Sequence, residues 1–283
     1  MNIEEFRNNV KVIGLDLDGT LLNDSKLIDS DTINYLNNFL EEKKYVIFAS
    51  GRKYMQIRPY IKQFSAMAQK NIFVVSSGGQ YIYNSNGEKI WSSENFNRAI
   101  VKKICHLLLG DKLNKKCTIV TETKDFIVIN KMGMGGVLRN LYYLVKGIEN
   151  YKNISIDGVE KINLEIEKII VHTRDVESVD SCLKNMNNIH ATLIEQKQVD
   201  IRMKTMNKSN AILYLLNILH FNKNNIVVFG DDENDIDVFE TFPLSVAMLN
   251  ATKKVKDRAK YITESNQNNG VLTFLLNYDR GIF

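Results

Sequence analysis

At 283 residues the chain has room for about two domains of ordinary size. Its 44% hydrophobic and 25% charged residues exclude a collagen-like, mucin-like or mostly disordered chain. Lys and Arg number 37 against 33 Asp and Glu, and this net charge of +4 is spread along the chain, which excludes the basic stripe of a nucleic-acid-binding protein and mildly favours small anionic ligands.

No apolar run approaches the roughly 18 residues of a membrane span, so no membrane partner is expected. The opening Met1-Asn2-Ile3-Glu4-Glu5-Phe6 carries acids and no apolar core of a secretory signal. The three cysteines, Cys105, Cys117 and Cys182, are odd in number and lack C-x-x-C spacing. They read as reduced thiols, and the expected location is the cytoplasm. The pattern carries no signal for oligomeric state.

In chain order, Val10 to Leu17 is a short β-branched run that ends in acids and reads as a buried strand. Asp29 to Glu42 places Ile33, Leu36, Phe39 and Leu40 at helical spacing. Tyr45 to Ala49 is a second buried strand, Lys53 to Met67 a helix and Ile72 to Val75 a third strand. Strands alternating with helices predict a parallel sheet with helices on its faces. Asn86-Gly87, between two β-rich runs, predicts a hairpin.

The middle of the chain predicts helices over 96–109, 136–148 and 176–186, and strands over 117–121, 126–130, 164–173 and 191–194. After it the first pattern returns. Lys208 to Leu219 is helical, Ile226 to Phe229 is a buried strand, Asn234 to Glu240 a short helix, Ser245 to Met248 a strand and Gly270 to Tyr278 a closing helix. The expected organisation is a discontinuous α/β core domain over 1–83 and 196–283, with an α/β cap inserted at 84–195.

Ligands of open parallel sheets bind beyond the carboxyl ends of the strands, and four polar clusters fall there. Asp16-Leu17-Asp18-Gly19-Thr20 closes the first strand. Residues two apart in a strand share a face, so Asp16 and Asp18 are expected to converge. Two such carboxylates repel unless a cation intervenes, and a hard cation such as Mg2+ takes carboxylate oxygens. Ser50-Gly51-Arg52 follows the second strand and offers a hydroxyl and backbone N–H groups to an anion, although Ser50 is also placed to cap a helix, the commoner role for such a serine. Lys208 opens a helix, where a cation opposes the dipole unless an anion is near; an ordinary surface lysine is the plainer alternative. Gly230-Asp231-Asp232-Glu233-Asn234-Asp235 concentrates acids after a buried strand, either around a cation or as a helix start that the dipole favours. Together these clusters describe a site for phosphoryl transfer.

The ordered set Asp16-x-Asp18-Gly-Thr, Ser50-Gly-Arg, Lys208 and Gly230-Asp231-x-x-Asn234-Asp235 resembles the haloacid dehalogenase superfamily. It looks most like the Cof-type sugar-phosphate phosphatases, type IIB, with an α/β cap between the second and third motifs. The resemblance implies a Rossmann-like parallel-sheet core and a Mg2+-dependent phosphatase of small phosphorylated metabolites. By the same resemblance Asp16 is the nucleophile that forms an aspartyl-phosphate, and Asp18 the acid and base. Mg2+ is held by the Asp16 side chain, the Asp18 carbonyl and Asp231, with Asn234 and Asp235 in support. Ser50, the Gly51 amide and Lys208 bind the phosphoryl group. Cap closure would exclude water and select the substrate. A phosphomutase of the same superfamily, or a phosphometabolite-binding protein without turnover, are the alternatives.

The sequence departs from the subfamily pattern at Ser77-Gly78-Gly79, where Asn-Gly-Ala is usual, at Leu249 in place of glycine, and at Asn268-Asn269 before Gly270. These departures bear on leaving-group recognition. His106, His172, His190 and His220 have no ligand spacing and read as structural. Met132-Gly133-Met134-Gly135-Gly136 reads as a flexible loop.

Overall fold

The computed structural model describes residues 9–109, 116–129, 134–145, 151–173, 175–194 and 198–282. It contains two compact units, Met1–Ser93 with Met206–Phe283, and Glu94–Thr205. The strands of the first segment are β1 (Val12–Leu15), β2 (Tyr45–Ala49), β3 (Ile72–Ser76), β4 (Tyr81–Asn84) and β5 (Lys89–Ser92). The second unit contributes β6 (Lys116–Thr121), β7 (Asp125–Ile129), β8 (Tyr151–Ser155), β9 (Ile166–His172), β10 (Ile189–Ile194) and β11 (Gln198–Met203). The returning segment adds β12 (Ile226–Gly230), β13 (Ser245–Ala247) and β14 (Tyr261–Ile262).

The first unit is built on one eight-stranded sheet in the order β14-β13-β12-β1-β2-β3-β4-β5. Strands β14 to β3 of that order are parallel, and β4 and β5 fold back as an antiparallel hairpin. Alternate residues of each central strand enter opposite apolar layers. Ile13, Leu15, Val46, Phe48, Val227 and Phe229 pack into one layer. Val12, Ile47, Ala49, Ile226 and Val228 pack into the other. Burial on both faces is why these strands read as unbroken apolar runs.

In the helix Ser30–Glu41, Asp29 accepts hydrogen bonds from the Asp31 and Thr32 N–H groups, while Leu36 and Leu40 are buried. The single helix expected over 53–67 is two, Tyr54–Ile61 and Ala66–Gln69. Ser65 does not continue a helix: its hydroxyl accepts from the Ala68 N–H and starts the second one. The Asn86-Gly87 hairpin is present, with Gly87 at φ +90° and Asn84 Oδ1 accepting from the N–H groups of Asn86 and Glu88.

The second unit has a six-stranded sheet in the order β10-β11-β9-β6-β7-β8, antiparallel except for the β7–β8 pair. Its helices are Arg98–Leu109, Met134–Val145 and Val176–Leu183. Strands β8 and β11 were not expected from periodicity. Residues 198–203 pair with β9 and β10 rather than opening the core's second segment, and residues 89–92 belong to the core sheet. The compact units therefore divide about ten residues later, at 93/94 and 205/206, than the expected 83/84 and 195/196. Of the expected loop at 132–136, Met134, Gly135 and Gly136 open a helix, and the rest lies outside the described residues. The end of the expected helix over 136–148 also lies outside them. Cys105, Cys117 and Cys182 are free thiols. Among the described residues no helix is long and apolar enough to cross a membrane.

Candidate active site

Parallel register sets four strand ends side by side. Leu15 of β1 pairs with Phe229 of β12 on one flank and with Phe48 of β2 on the other, and Ala49 pairs with Val75 of β3. The next residues, Asp16, Gly230-Asp231, Ser50 and Ser76-Ser77, therefore emerge at one edge of the sheet.

Asp16 is buried, and its N–H donates to the Phe229 carbonyl at 3.1 Å. Lys208 opens the helix Lys208–Ile218, whose N-cap is Asn207. This lysine is not a surface residue. It is 2% exposed, and its Nζ donates to Asp16 Oδ1 at 2.6 Å, Asp235 Oδ1 at 2.6 Å and Asn234 Oδ1 at 3.2 Å. Carboxylate oxygens of Asp16, Asp231 and Asp235 all lie within 4.8 Å of one another.

Asp231 and Asp235 meet through a tight turn. Asp235 Oδ2 accepts the N–H groups of Asp231 at 3.1 Å and Asp232 at 3.2 Å, which folds 231–235 back on itself. Asp231 in turn accepts from Thr20 Oγ1 at 2.9 Å and from Asn250 Nδ2 at 3.4 Å. Asn250 also donates to the Gly19 carbonyl at 2.8 Å. Gly19 is required at this point. It has φ +77°, and a Cβ there would lie 2.2 Å from Asp231 Oδ2.

Burial pushes Asp16 up to about 8, and the Asp235 and Asp231 charges add to the rise against the opposing pull of Lys208. Burial likewise pushes Asp231 up to about 6, opposed by the Thr20 hydrogen bond. Burial alone would discharge Lys208, but Asp16 and Asp235 hold it above the ordinary lysine range. One ammonium thus faces three carboxylates. When ionised, this group carries excess negative charge on hard oxygen donors, a set that suits a divalent cation of the Mg2+ or Ca2+ type.

Asp18 stands apart from that group. Strand β1 ends at Leu15, so the expected alternation does not extend to 16 and 18, and their side chains take different partners. Arg52 grips Asp18 with two bonds, Nε to Oδ2 and Nη2 to Oδ1, both 2.6 Å, and Lys26 Nζ reaches Oδ1 at 2.6 Å. The Arg52 bonds, with help from Lys26, hold the Asp18 carboxyl below the usual carboxylate range against its partial burial. Arg52 also donates to the Tyr60 hydroxyl at 3.0 Å. Ser50 is buried but is not a helix cap. The helix begins at Tyr54 with Lys53 at its N-cap, and Ser50 Oγ accepts the Arg52 N–H at 3.2 Å. Gly51 is exposed beside it, and a Cβ there would meet nothing within 4 Å.

The loop Ser77-Gly78-Gly79 runs through three successive positive φ values, 52°, 71° and 105°. Ser77 N–H bonds the Arg52 carbonyl at 2.8 Å and Gly78 N–H the Ser50 carbonyl at 2.9 Å. A Cβ on Gly79 would lie 2.2 Å from the Asn207 carbonyl oxygen and 2.8 Å from Lys208 N. This loop therefore ties the Ser50 turn to the start of the Lys208 helix. Periodicity showed neither that role nor the engagement of Lys26 and Arg52 with Asp18.

The chain belongs to the haloacid dehalogenase-like hydrolases, whose sequence model matches residues 13–275. It is 26% identical to the 5-amino-6-(5-phospho-D-ribitylamino)uracil phosphatase YcsE of Bacillus subtilis, over 96% of this chain and 96% of that one. It is 25% identical to the phosphatase of the same description, YbjI, of Escherichia coli, over 93% and 94%. The fold is similar to that of BT4131, a sugar phosphatase of subclass IIB, at a TM-score of 0.72 and 16% identity, over 95% of this chain and 99% of that one.

Proposed function

We propose that this protein is a Mg2+-dependent phosphatase of small phosphorylated metabolites that works through an aspartyl-phosphate on Asp16. The carrying observation is the pairing of a buried Asp16 with Lys208 at 2.6 Å, inside a group of three carboxylates, with a second aspartate, Asp18, held separately nearby. A carboxylate nucleophile divides one difficult displacement into two easier ones.

In the first step an Asp16 oxygen attacks phosphorus, the bond from phosphorus to the leaving oxygen breaks, and Asp18 gives that oxygen a proton. In the second step water attacks the same phosphorus and Asp18 takes the water proton. The acyl phosphate bond then breaks, inorganic phosphate leaves and Asp16 is regenerated. The Arg52 and Lys26 bonds that favour the ionised form of Asp18 suit the second step, where it serves as a base; in the first step Asp18 acts in its protonated form, which those bonds oppose. Lys208, the Ser50 hydroxyl and the Gly51 N–H bind the phosphoryl oxygens and offset the charge that spreads over them. Asp16, Asp231 and the Asp18 carbonyl would hold Mg2+, with Asp235 and Asn234 fixing the turn around Asp231. The ion supplies charge neutralisation between the carboxylates and the incoming phosphate.

The segment 94–205 serves as the cap that selects the leaving group, a reading supported by its insertion between the Ser50 and Lys208 motifs. The free cysteines fit a reducing compartment, and we place the protein in the cytoplasm. YcsE and YbjI are described as phosphatases of 5-amino-6-(5-phospho-D-ribitylamino)uracil, a sugar-alcohol phosphate, so this compound is the first substrate to try.

The test is phosphate release from that compound, from hexose phosphates and from p-nitrophenyl phosphate, with Mg2+, with EDTA and with Asp16→Asn. Turnover that needs Mg2+ and disappears in Asp16→Asn is expected. Failure of folded protein across the whole panel, or turnover that survives Asp16→Asn, would overturn the reading.

A further inference from the structure

The loop of residues 263–270 is closed by its own hydrogen bonds, and it encloses Asn266. Thr263 N–H donates to the Ala247 carbonyl at 3.0 Å and the Thr263 hydroxyl to the Gly270 carbonyl at 2.7 Å, while Gly270 N–H returns to the Ser265 carbonyl at 3.0 Å. The closure is tight enough that a Cβ on Gly270 would lie 2.0 Å from the Glu264 carbonyl oxygen. Asn266 is buried, and its Nδ2 donates to the Leu22 carbonyl at 2.9 Å and to Asp24 Oδ1 at 3.4 Å. The segment that follows residues 16–20 is thereby fastened to this distant loop.

From that position the Asn266 N–H donates to Asn250 Oδ1 at 3.1 Å. A backbone N–H can only donate, so it selects the oxygen of the Asn250 amide and turns the nitrogen away. Asn250 Nδ2 is thus aimed at the Gly19 carbonyl, 2.8 Å away, and at Asp231 Oδ2, 3.4 Å away. These acceptors lie on the loop that carries Asp16 and on the turn that carries Asp231 and Asp235. Thr20 joins the same two segments at the other oxygen of Asp231, Oδ1, at 2.9 Å. With a donor on each oxygen, the Asp231 carboxylate cannot turn without breaking a bond. Stability does not account for the Asn250 arrangement, since Asn250 is exposed and water would replace its bonds at little cost.

We propose that Asn250, oriented by Asn266, is a positioning residue for the divalent cation. It clasps the loop of residues 16–20 to the turn of residues 231–235 and holds Asp231 in its ligating orientation ahead of the ion. This role rests on the phosphatase reading, in which Asp231 ligates Mg2+. Asn250 acts through Asp231 and the Gly19 carbonyl and is itself neither ligand nor phosphoryl contact. Its loss is therefore read in affinity for the ion, which partners of a metal ligand commonly set by about 10–100-fold.

The experiment titrates the full chain, without substrate, with Mn2+, which suits the same oxygen donors as Mg2+ and is counted when free by its paramagnetic resonance signal. Urea unfolding in EDTA runs alongside for the parent protein, Asn250→Ala, Asn266→Ala and Asp231→Asn. Asn250→Ala should raise the Mn2+ dissociation constant about tenfold and leave the urea midpoint in EDTA where it was. Asn266→Ala keeps the backbone N–H but loses the side-chain anchor, so it should raise the constant about threefold. It should also lower the urea midpoint, because the Leu22 carbonyl loses a buried donor.

Unchanged Mn2+ affinity in Asn250→Ala would overturn the proposal. So would a lowered urea midpoint for Asn250→Ala in EDTA, which would make the amide a brace of the fold. Asp231→Asn separates this role from the reading beneath it. If that variant bound Mn2+ as tightly as the parent, Asp231 would not be a ligand, and the cation site would fall together with the role of Asn250. Weaker binding in Asp231→Asn with none of the change in Asn250→Ala would remove the role of Asn250 alone.

Discussion

Lys208→Met tests the electrostatics of the site most directly. The substitution keeps the length of the side chain and removes the ammonium that sits 2.6 Å from both Asp16 and Asp235. Removing one member of a buried pair costs about 3–5 kcal/mol, because the other charge stays buried without its partner. Here two carboxylates lose their partner, and a retained proton limits the cost. Asp16 already stands at about 8 with Lys208 lowering it, so without Lys208 it stands higher. A folded value above the unfolded one means that the bound proton stabilises fully below about pH 4 and that this stability is lost as pH rises through the folded value. The penalty of Lys208→Met is therefore small near about pH 5.5 and approaches 3–5 kcal/mol at about pH 8.5. Urea unfolding in EDTA measures it, followed by fluorescence of Trp91, the one tryptophan, which lies in β5 of the same unit. Mg2+ should recover part of the loss at the higher pH. Equal penalties at both pH values, or none at the higher one, would refute the reasoning.

Gly79→Ala places a methyl group 2.2 Å from the Asn207 carbonyl oxygen at φ +105°, so it should cost about 1–3 kcal/mol and lower turnover by displacing the start of the Lys208 helix, as paired unfolding and rate measurements would show. Asp200 is 1% exposed and bonds Lys168 at 3.0 Å as well as Arg202; burial raises its pKa, but the two cations win and hold it low. A folded value below the unfolded one gives stability that is present above about pH 4 and lost as pH falls through the folded value, so Asp200→Asn should cost roughly 1.5–3 kcal/mol at neutral pH and flatten the acid limb of an unfolding-against-pH curve. Asp29→Ala removes the acceptor for two N–H groups at the start of Ser30–Glu41 and should cost about 1 kcal/mol in denaturant unfolding, with no effect on turnover.

The core was legible because the central strands β1, β2 and β12 are buried on both faces and the helix Ser30–Glu41 on one, which leaves unbroken apolar runs in the former and periodic signals such as Leu36 and Leu40 in the latter. The acid clusters were legible because parallel strands deliver their last residues to a common edge, so motifs far apart in sequence had to meet. What escaped depended on side chains that choose among partners. Ser65 and Ser50 look alike in sequence, yet one starts a helix and the other closes a turn over Arg52. Strand β8, with its Tyr-Lys-Asn start, lies half exposed beside β7 and has no apolar alternation to announce it. Strand β11 runs Gln-Val-Asp-Ile-Arg-Met, and its membership is decided by pairing with β9 and β10, which no local pattern records. Lys208 was one basic residue among 37 until the fold enclosed it.

The order of synthesis gives the split sheet a further consequence. Strands β1 to β5 are complete once Ser92 has left the ribosome, but the flank of β1 that receives β12 stays unpaired until Ile226–Gly230 emerges. At 5–20 residues per second the roughly 130 residues between take on the order of ten seconds. The inserted strands β6 to β11 pair only with one another and can close their own sheet during that interval. For those seconds the nascent chain carries a finished domain behind an open, apolar strand edge of Val-Ile-Gly-Leu, the sort of edge that invites pairing with a neighbouring chain. The insertion thus costs the protein a window of vulnerability on every round of translation, and chaperone demand during synthesis should track the length of that insertion.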